Sequence, residues 1–333
     1  MAEIKLQDVE FMESELKTKK IRMREAPDPV GVSYEKLLRR HDRTKKVYPV
    51  DPYVEVYQFR DNLYCLFSES LDGMGDPWSF LILGPEKAML IDTGFGLGNL
   101  RGLVEQLAGP LPLIVVNTHY HFDHAYGNYQ FDKIYCSEYE VPAMETKLTP
   151  RVWDYLFDEA GRCIWTEFDR NDLVPYREYE IVGCPDGYLF DLGGGYQVEM
   201  VHLPGHTAGH AAYLDKHNRI LFAGDAACIG NLGITGDPVN KVYGDMATVT
   251  NFRTALVKLT ARNDEFDQVF PSHSVLELDK VVLDNILEAC DKILDNPACC
   301  DSLCVKVRGG VEREFCNKMI YRMGNLTYSK ETV

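Results

Sequence analysis

No run of apolar residues in this 333-residue chain approaches the roughly 18–20 needed to cross a bilayer. The first twenty residues, MAEIKLQDVEFMESELKTKK, are charged throughout and hold no apolar stretch of the kind a secretory signal carries. A cytoplasmic protein with no membrane partner is therefore expected. Positive charge is in deficit: 35 Lys and Arg stand against 51 Asp and Glu, a formal net charge of −16. That balance argues against non-specific binding to nucleic acid or to anionic lipid. A G-x-S-x-G nucleophile elbow is missing, so nothing points to Ser-His-Asp chemistry. Ten cysteines are scattered along the chain, and the densest group, Cys299, Cys300 and Cys304, lacks C-x-x-C spacing. With no export signal in view, reduced thiols are expected, and neither a disulfide framework nor a cysteine metal site. Histidine is scarce, at nine residues.

What is present is enough for a large core: 45% of residues are hydrophobic and 26% charged. Residues 1–47 carry twelve Lys and Arg against nine Asp and Glu, so the remainder has a net charge of −19. This segment reads as an N-terminal extension with a short helix around Tyr34–Arg40, and as an arm able to pack on an acidic body. A homodimer is an open expectation resting on that arm. The catalytic domain is expected over 48–333.

Short β-type runs follow at Tyr53–Phe59, Leu63–Ser68, Ser79–Gly84 and Lys87–Asp92, bounded by turn formers. A helical pattern covers about 97–107, and the apolar strand Leu113–Asn117 comes next. Residues 138–180 are acidic and aromatic and read as a largely helical insertion, a candidate lid. Strands resume at Tyr196–Leu203, Ala211–Asp215 and Arg219–Ala223, and helices at about 248–262 and 277–295. The C-terminal region 299–333 reads as a hairpin around Arg308-Gly-Gly310. Alternating strands and helices with no fixed repeat predict an α/β or α+β sandwich.

The scarce histidines are concentrated. Thr118-His-Tyr-His-Phe-Asp-His-Ala125 places His119, His121, Asp123 and His124 within six positions, directly after a strand. Three imidazoles and a carboxylate are ligand types for a borderline divalent ion such as zinc. Further candidates each follow a short β run: His206 in Leu203-Pro-Gly-His-Thr-Ala-Gly-His210, Asp225 in Leu221-Phe-Ala-Gly-Asp225, and His273 in Val269-Phe-Pro-Ser-His273. Ligands at strand ends collect on one rim of a sheet scaffold, where active sites are commonly built.

H-x-H-x-D-H, then G-H-T-x-G-H, G-D and a final His, preceded by Met89-Leu-Ile-Asp-Thr-Gly94, resembles the metallo-β-lactamase superfamily over about residues 53–275. The resemblance implies a four-layer αββα sandwich. It also implies two metal ions, with His119, His121 and His206 on one and Asp123, His124 and His273 on the other. Asp225 would bridge them, and Asp92 and His210 would orient ligand imidazoles. Zinc is the expected metal, and the donor set also accepts iron or manganese, since metal supply shares in deciding occupancy.

Two ions sharing a solvent molecule lower its pKa from about 15.7 towards 7, which yields hydroxide near neutral pH. Asp123 is the candidate catalytic residue, orienting that nucleophile or carrying its proton. The zinc β-lactamases of the commonest subclass use Cys where Asp225 stands, so the resemblance favours the glyoxalase-II-like and lactonase-like branches. Cys228 occupies a position where quorum-type lactonases carry Tyr. The expected activity is hydrolysis of a small-molecule ester, lactone, thioester or amide. A phosphodiester or sulfate-ester hydrolase is the alternative. A diiron redox protein is a more distant one, because such proteins of this fold usually have Glu at the position of His121.

Overall fold

A computed structural model describes residues 16–20, 34–308 and 311–333. The chain divides into two compact units. The first comprises residues 1–135, 147–182 and 191–196, and the second 136–146, 183–190 and 197–333.

The first unit is built on an eight-stranded sheet. Its strands Asp51–Arg60, Leu63–Ser68, Trp78–Leu83 and Ala88–Ile91 form an antiparallel meander, and Leu113–Val116 joins in parallel. Three of these strands are buried almost throughout, which is why they read as continuous apolar runs rather than as alternation. Tyr57 and Phe67 meet the edge of Trp78 at ring centroid distances of 5.6 and 5.0 Å. The parallel step from Ala88–Ile91 to Leu113–Val116 needs a crossover. The Leu100–Ala108 helix supplies it, capped by the Asn99 side chain, which accepts from the Gly102 N–H.

The N-terminal arm has a Tyr34–His41 helix. The Arg39 guanidinium on it donates to Glu55 at 2.9 Å and lies 3.3 Å from Glu69. Lys17 pairs with Asp172 at 2.6 Å. Two charges of the arm, on Lys17 and Arg39, are thus met by acidic groups of the same chain. Most of residues 1–33 lies outside the described residues.

The expected helical insertion is corrected. Within 138–180 the only α-helix among the described residues is the five-residue Val141–Glu145, with single 3₁₀ turns at Asp154–Leu156 and Arg170–Asp172. Pro150, Gly161 and Pro175 break the pattern. Asp158 turns the chain by accepting from the backbone N–H groups of Ala160 and Arg162. The aromatics pack instead as a cluster: Tyr129 contacts Trp153, Tyr176 and Tyr179 at 5.3–5.4 Å between centroids.

The second unit has a six-stranded sheet that includes Gln197–His202, Ala211–Asp215, Ile220–Gly224 and Gln268–Pro271. The last two pair in parallel, with the Val249–Thr260 helix between them in sequence. A four-stranded sheet runs Gly230–Ile234, Gly324–Tyr328, Val311–Ile320 and Ser302–Arg308. The expected C-terminal hairpin is two of these strands, with Arg308 opposite Val311. The strand Gly324–Tyr328 is an addition to that hairpin. Leu256, Leu259, Leu283, Ile286 and Ile293, from this helix and from Val281–Asp295, are fully buried in one core with Leu326 and Tyr328.

Candidate metal centre

In the first unit, two strand ends meet. Ala88–Ile91 stops at Asp92, which has φ of +63°, a left-handed conformation that few non-glycine residues adopt. The neighbouring strand ends at Val116, and its continuation supplies Asn117 and Thr118. The fully buried Asp92 carboxylate accepts from the Thr118 backbone N–H at 2.7 Å and from the Thr118 hydroxyl at 2.8 Å. It also lies 2.9 Å from His124 Nδ1. An ionised carboxylate only accepts, so His124 Nδ1 donates and Nε2 is left with its lone pair.

The same logic reaches His119. The single proton of the Thr118 hydroxyl goes to Asp92, so its oxygen accepts from His119 Nδ1, 3.0 Å away. His119 Nε2 then carries a lone pair and faces His121 Nδ1 at 2.9 Å. Two imidazole nitrogens this close are arranged as ligands of one cation are. Asp123 Oδ1 is 3.5 Å from His124 Nε2.

The helical turn Phe122–Ala125 that carries Asp123 and His124 is held from beneath. The His124 carbonyl accepts from the Thr93 N–H at 2.8 Å and from the Asn117 amide at 2.9 Å. Asn128 donates to Asn117 and accepts from Thr93. Gly127 has to be glycine, since a Cβ there would stand 2.1 Å from the Thr93 carbonyl oxygen.

The second unit carries ligand candidates of its own. His206 Nδ1 donates to the Gly233 carbonyl at 2.9 Å, which leaves Nε2 facing Asp225 Oδ2 at 3.4 Å. His273 Nε2 lies 3.4 Å from the other oxygen, Asp225 Oδ1. One carboxylate therefore presents one oxygen to each of two histidines. His210 is fully buried, and its Nε2 accepts from the Asp225 backbone N–H at 3.1 Å. It thus holds the backbone of a ligand candidate rather than facing an ion. His202 stays apart as well, stacked on Tyr139 and donating to the Ala208 carbonyl, with its pKa lowered by burial.

Two supports of the His206 loop were missed from the sequence. Glu140, fully buried, accepts from the Thr207 hydroxyl with both oxygens at 3.0 Å and from the Gly209 N–H at 2.8 Å. Asp237 accepts from the Ala208 N–H at 3.1 Å. Both are lone acids with no motif around them, and no local signal marks either. A Cβ on Gly209 would lie 2.2 Å from the Glu140 nitrogen, so the second glycine of the loop is what lets the clamp close.

The donor chemistry fits divalent metal. Each of the seven predicted side chains, His119, His121, Asp123, His124, His206, Asp225 and His273, has a placement suited to holding an ion. Beside His121, an aromatic shelf is built by Phe122, which stacks on Phe95 at 5.9 Å and meets Tyr155 at 5.6 Å. Trp153 fixes the shelf by donating from Nε1 to the Phe95 carbonyl. No helix among the described residues is long and apolar enough to cross a membrane.

Comparison with known proteins agrees with this chemistry. The family model described as the metallo-beta-lactamase superfamily matches residues 72–273. Acyl-coenzyme A thioesterase MBLAC2 of Homo sapiens is 30% identical over 206 residues, covering 58% of this chain and 71% of the relative. Hydroxyacylglutathione hydrolase GloC of Haemophilus influenzae is 29% identical over 181 residues, 54% of this chain and 78% of that protein. Among solved structures, a metallo-beta-lactamase family protein from Thermus thermophilus superposes with a TM-score of 0.52 at 19% identity. That match covers 74% of this chain and 85% of the other and concerns the fold alone.

Proposed function

The chain belongs to the metallo-beta-lactamase superfamily, and from that premise we propose that it is a two-zinc hydrolase that cleaves an acyl thioester of a small thiol carrier. The observation that carries the two-ion reading is Asp225, whose two oxygens each face a different histidine. In this reading His119, His121 and His206 would hold one ion and Asp123, His124 and His273 the other, with Asp225 contributing a carboxylate oxygen to each. The relatives named above support the substrate class, since coenzyme A and glutathione are both thiols and both names describe hydrolysis of their acyl derivatives.

Bound zinc supplies hydroxide near neutral pH and polarises the scissile carbonyl. The chain's own groups do the rest. Asp92 and Thr118 keep the His124 and His119 protons on Nδ1, away from the ligand face. A carboxylate oxygen of Asp123 takes the proton of the attacking water and passes it to the departing thiolate, giving a free acid and a free thiol. The Phe95–Phe122–Tyr155 shelf receives the apolar acyl group.

The test is turnover by the zinc-loaded protein on an acyl-coenzyme A, a hydroxyacylglutathione, a lactone, a phosphodiester and a β-lactam. Two zinc ions per chain and thiol release from a thioester are expected, with both the rate and the second zinc ion lost or weakened in a folded Asp123→Asn variant. Turnover confined to the phosphodiester would overturn the substrate assignment, and one ion per chain would overturn the bridging role.

A further inference from the structure

The His121 ring borders two unlike surfaces, and the reaction proposed above uses only one of them. Phe122 stacks on that ring at 6.2 Å between centroids and leads into the apolar shelf. Tyr120 meets the same ring edge-on at 4.8 Å. Tyr120 is itself buried, and the Lys147 ammonium lies over its ring, 5.2 Å from the centroid. The two separations together put that charge within about 10 Å of the His121 ring centre.

The backbone fixes the placement. The Lys147 carbonyl accepts from the Tyr129 hydroxyl and, at 2.7 Å, from the Thr149 N–H. The next carbonyl, of Leu148, accepts from the Tyr176 hydroxyl at 3.4 Å. Tyr129 and Tyr176 are in contact within the aromatic cluster that Trp153 and Tyr179 complete. Two consecutive carbonyls are thus tied to one packed cluster, and the half-buried lysine starts from a fixed origin.

Charge and reach say what such a cation can hold. The chain has a net charge of −16, so an anionic carrier approaches against the overall field, and an ammonium beside the ligand face reverses that field locally. An ammonium is a compact point charge that takes a carboxylate or a phosphate. In glutathione about two residues' worth of chain separates the sulfur from the glycyl carboxylate, or ~7 Å extended. In coenzyme A the pantetheine arm puts about four residues' worth before the first phosphate, ~13–14 Å extended. A span of about 10 Å admits the first and falls short of the second.

We infer that Lys147 determines carrier specificity by holding a carboxylate of a short peptide thiol. The inference rests on the thioester reading above. The apolar acyl group lies on Phe122 and Tyr155, the scissile carbonyl at His121, and the carrier along Tyr120 with its carboxylate at Lys147 Nζ. No bond is made or broken at Lys147. A thioester whose carrier has no charge forgoes this one contact and keeps those to the shelf and the metal centre.

The experiment uses the zinc-loaded full chain and one acyl group carried on glutathione, on coenzyme A and on uncharged N-acetylcysteamine. Lys147→Met keeps the apolar stem and removes the charge. It should raise KM for the acylglutathione about tenfold at unchanged kcat, the loss of one charge-assisted bond, and leave the other two thioesters unaltered. Lys147→Arg should restore most of the loss, and high salt should narrow the gap between wild type and Lys147→Met. Calorimetric titration with S-methylglutathione, which is not turned over, should show the same weakening. An equal rise in KM on all three substrates would make Lys147 a packing residue and overturn the inference. So would a rise confined to acyl-coenzyme A, or an unchanged KM for the acylglutathione. If no thioester is turned over, the proposed reaction fails by itself, and the titration still decides Lys147: binding that is absent, or equal in wild type and Lys147→Met, overturns its role.

Discussion

Asp92→Asn isolates the orienting role of one carboxylate. The backbone there has φ of +63°, which Asn tolerates and Ala does not, so the change leaves the turn unstrained. Asn keeps an oxygen for the Thr118 N–H but puts an amide nitrogen where Oδ2 received the Thr118 hydroxyl and His124 Nδ1. That nitrogen donates. His124 must then accept at Nδ1 and carry its proton on Nε2, the atom meant for metal. His119 is affected through Thr118, whose hydroxyl proton loses its acceptor.

Two charge-assisted bonds, each worth about 1.5–3 kcal/mol, become neutral ones of about half that strength. Metal-free stability should therefore fall by about 2–3 kcal/mol. Loss of an orienting partner lowers metal affinity about 10- to 100-fold, or roughly 1.4–2.7 kcal/mol. The assay is zinc competition against a chromogenic chelator, run beside urea unfolding of the metal-free protein. A fall in urea midpoint with wild-type zinc affinity would refute the reasoning, since it would make Asp92 a packing residue only.

Glu140→Ala leaves the Thr207 hydroxyl and the Gly209 N–H buried without their acceptor, at about 1–3 kcal/mol each. Thermal unfolding should show the loss, and zinc competition should show weaker binding through the loosened His206 loop, whereas unchanged affinity would confine Glu140 to folding. Asp51, with burial raising its pKa to about 7, holds its proton in the folded state from about pH 4 up to 7 and loses stability as pH rises through that window, on the order of 4 kcal/mol in total. Asp51→Asn should flatten urea midpoints between pH 4 and 7, and a wild-type slope in that variant would contradict the assignment. Tyr155→Ala strips the outer ring of the shelf, so KM for long-chain acyl thioesters should rise several-fold while that for acetyl thioesters holds; an equal rise for both would place the acyl group elsewhere.

The legible part of this molecule is the part written in short range. A buried strand that ends in a small residue and then a ligand needs only five or six consecutive residues. Leu113–Val116 leading to His119 and Ile220–Gly224 leading to Asp225 could therefore be recognised without knowing their neighbours in space. Glu140 has the opposite character. Its role is set by a loop 67 residues further on, and a lone buried acid looks like any other until that loop returns. The insertion misled for a related reason. The segment is dense in aromatics, but each finds its own partner from a turn: Trp153 packs on Tyr129, Phe157 on Phe168, and Tyr155, which stays exposed, on Phe122, so no single helical face forms. The backbone formers Pro150, Gly161 and Pro175 outvoted the pattern. Residues that act on their own neighbours in sequence can be read from it, whereas those that act on distant loops, as Glu140 and Asp237 do on the loop that carries His206, become visible only once the chain has folded back on itself.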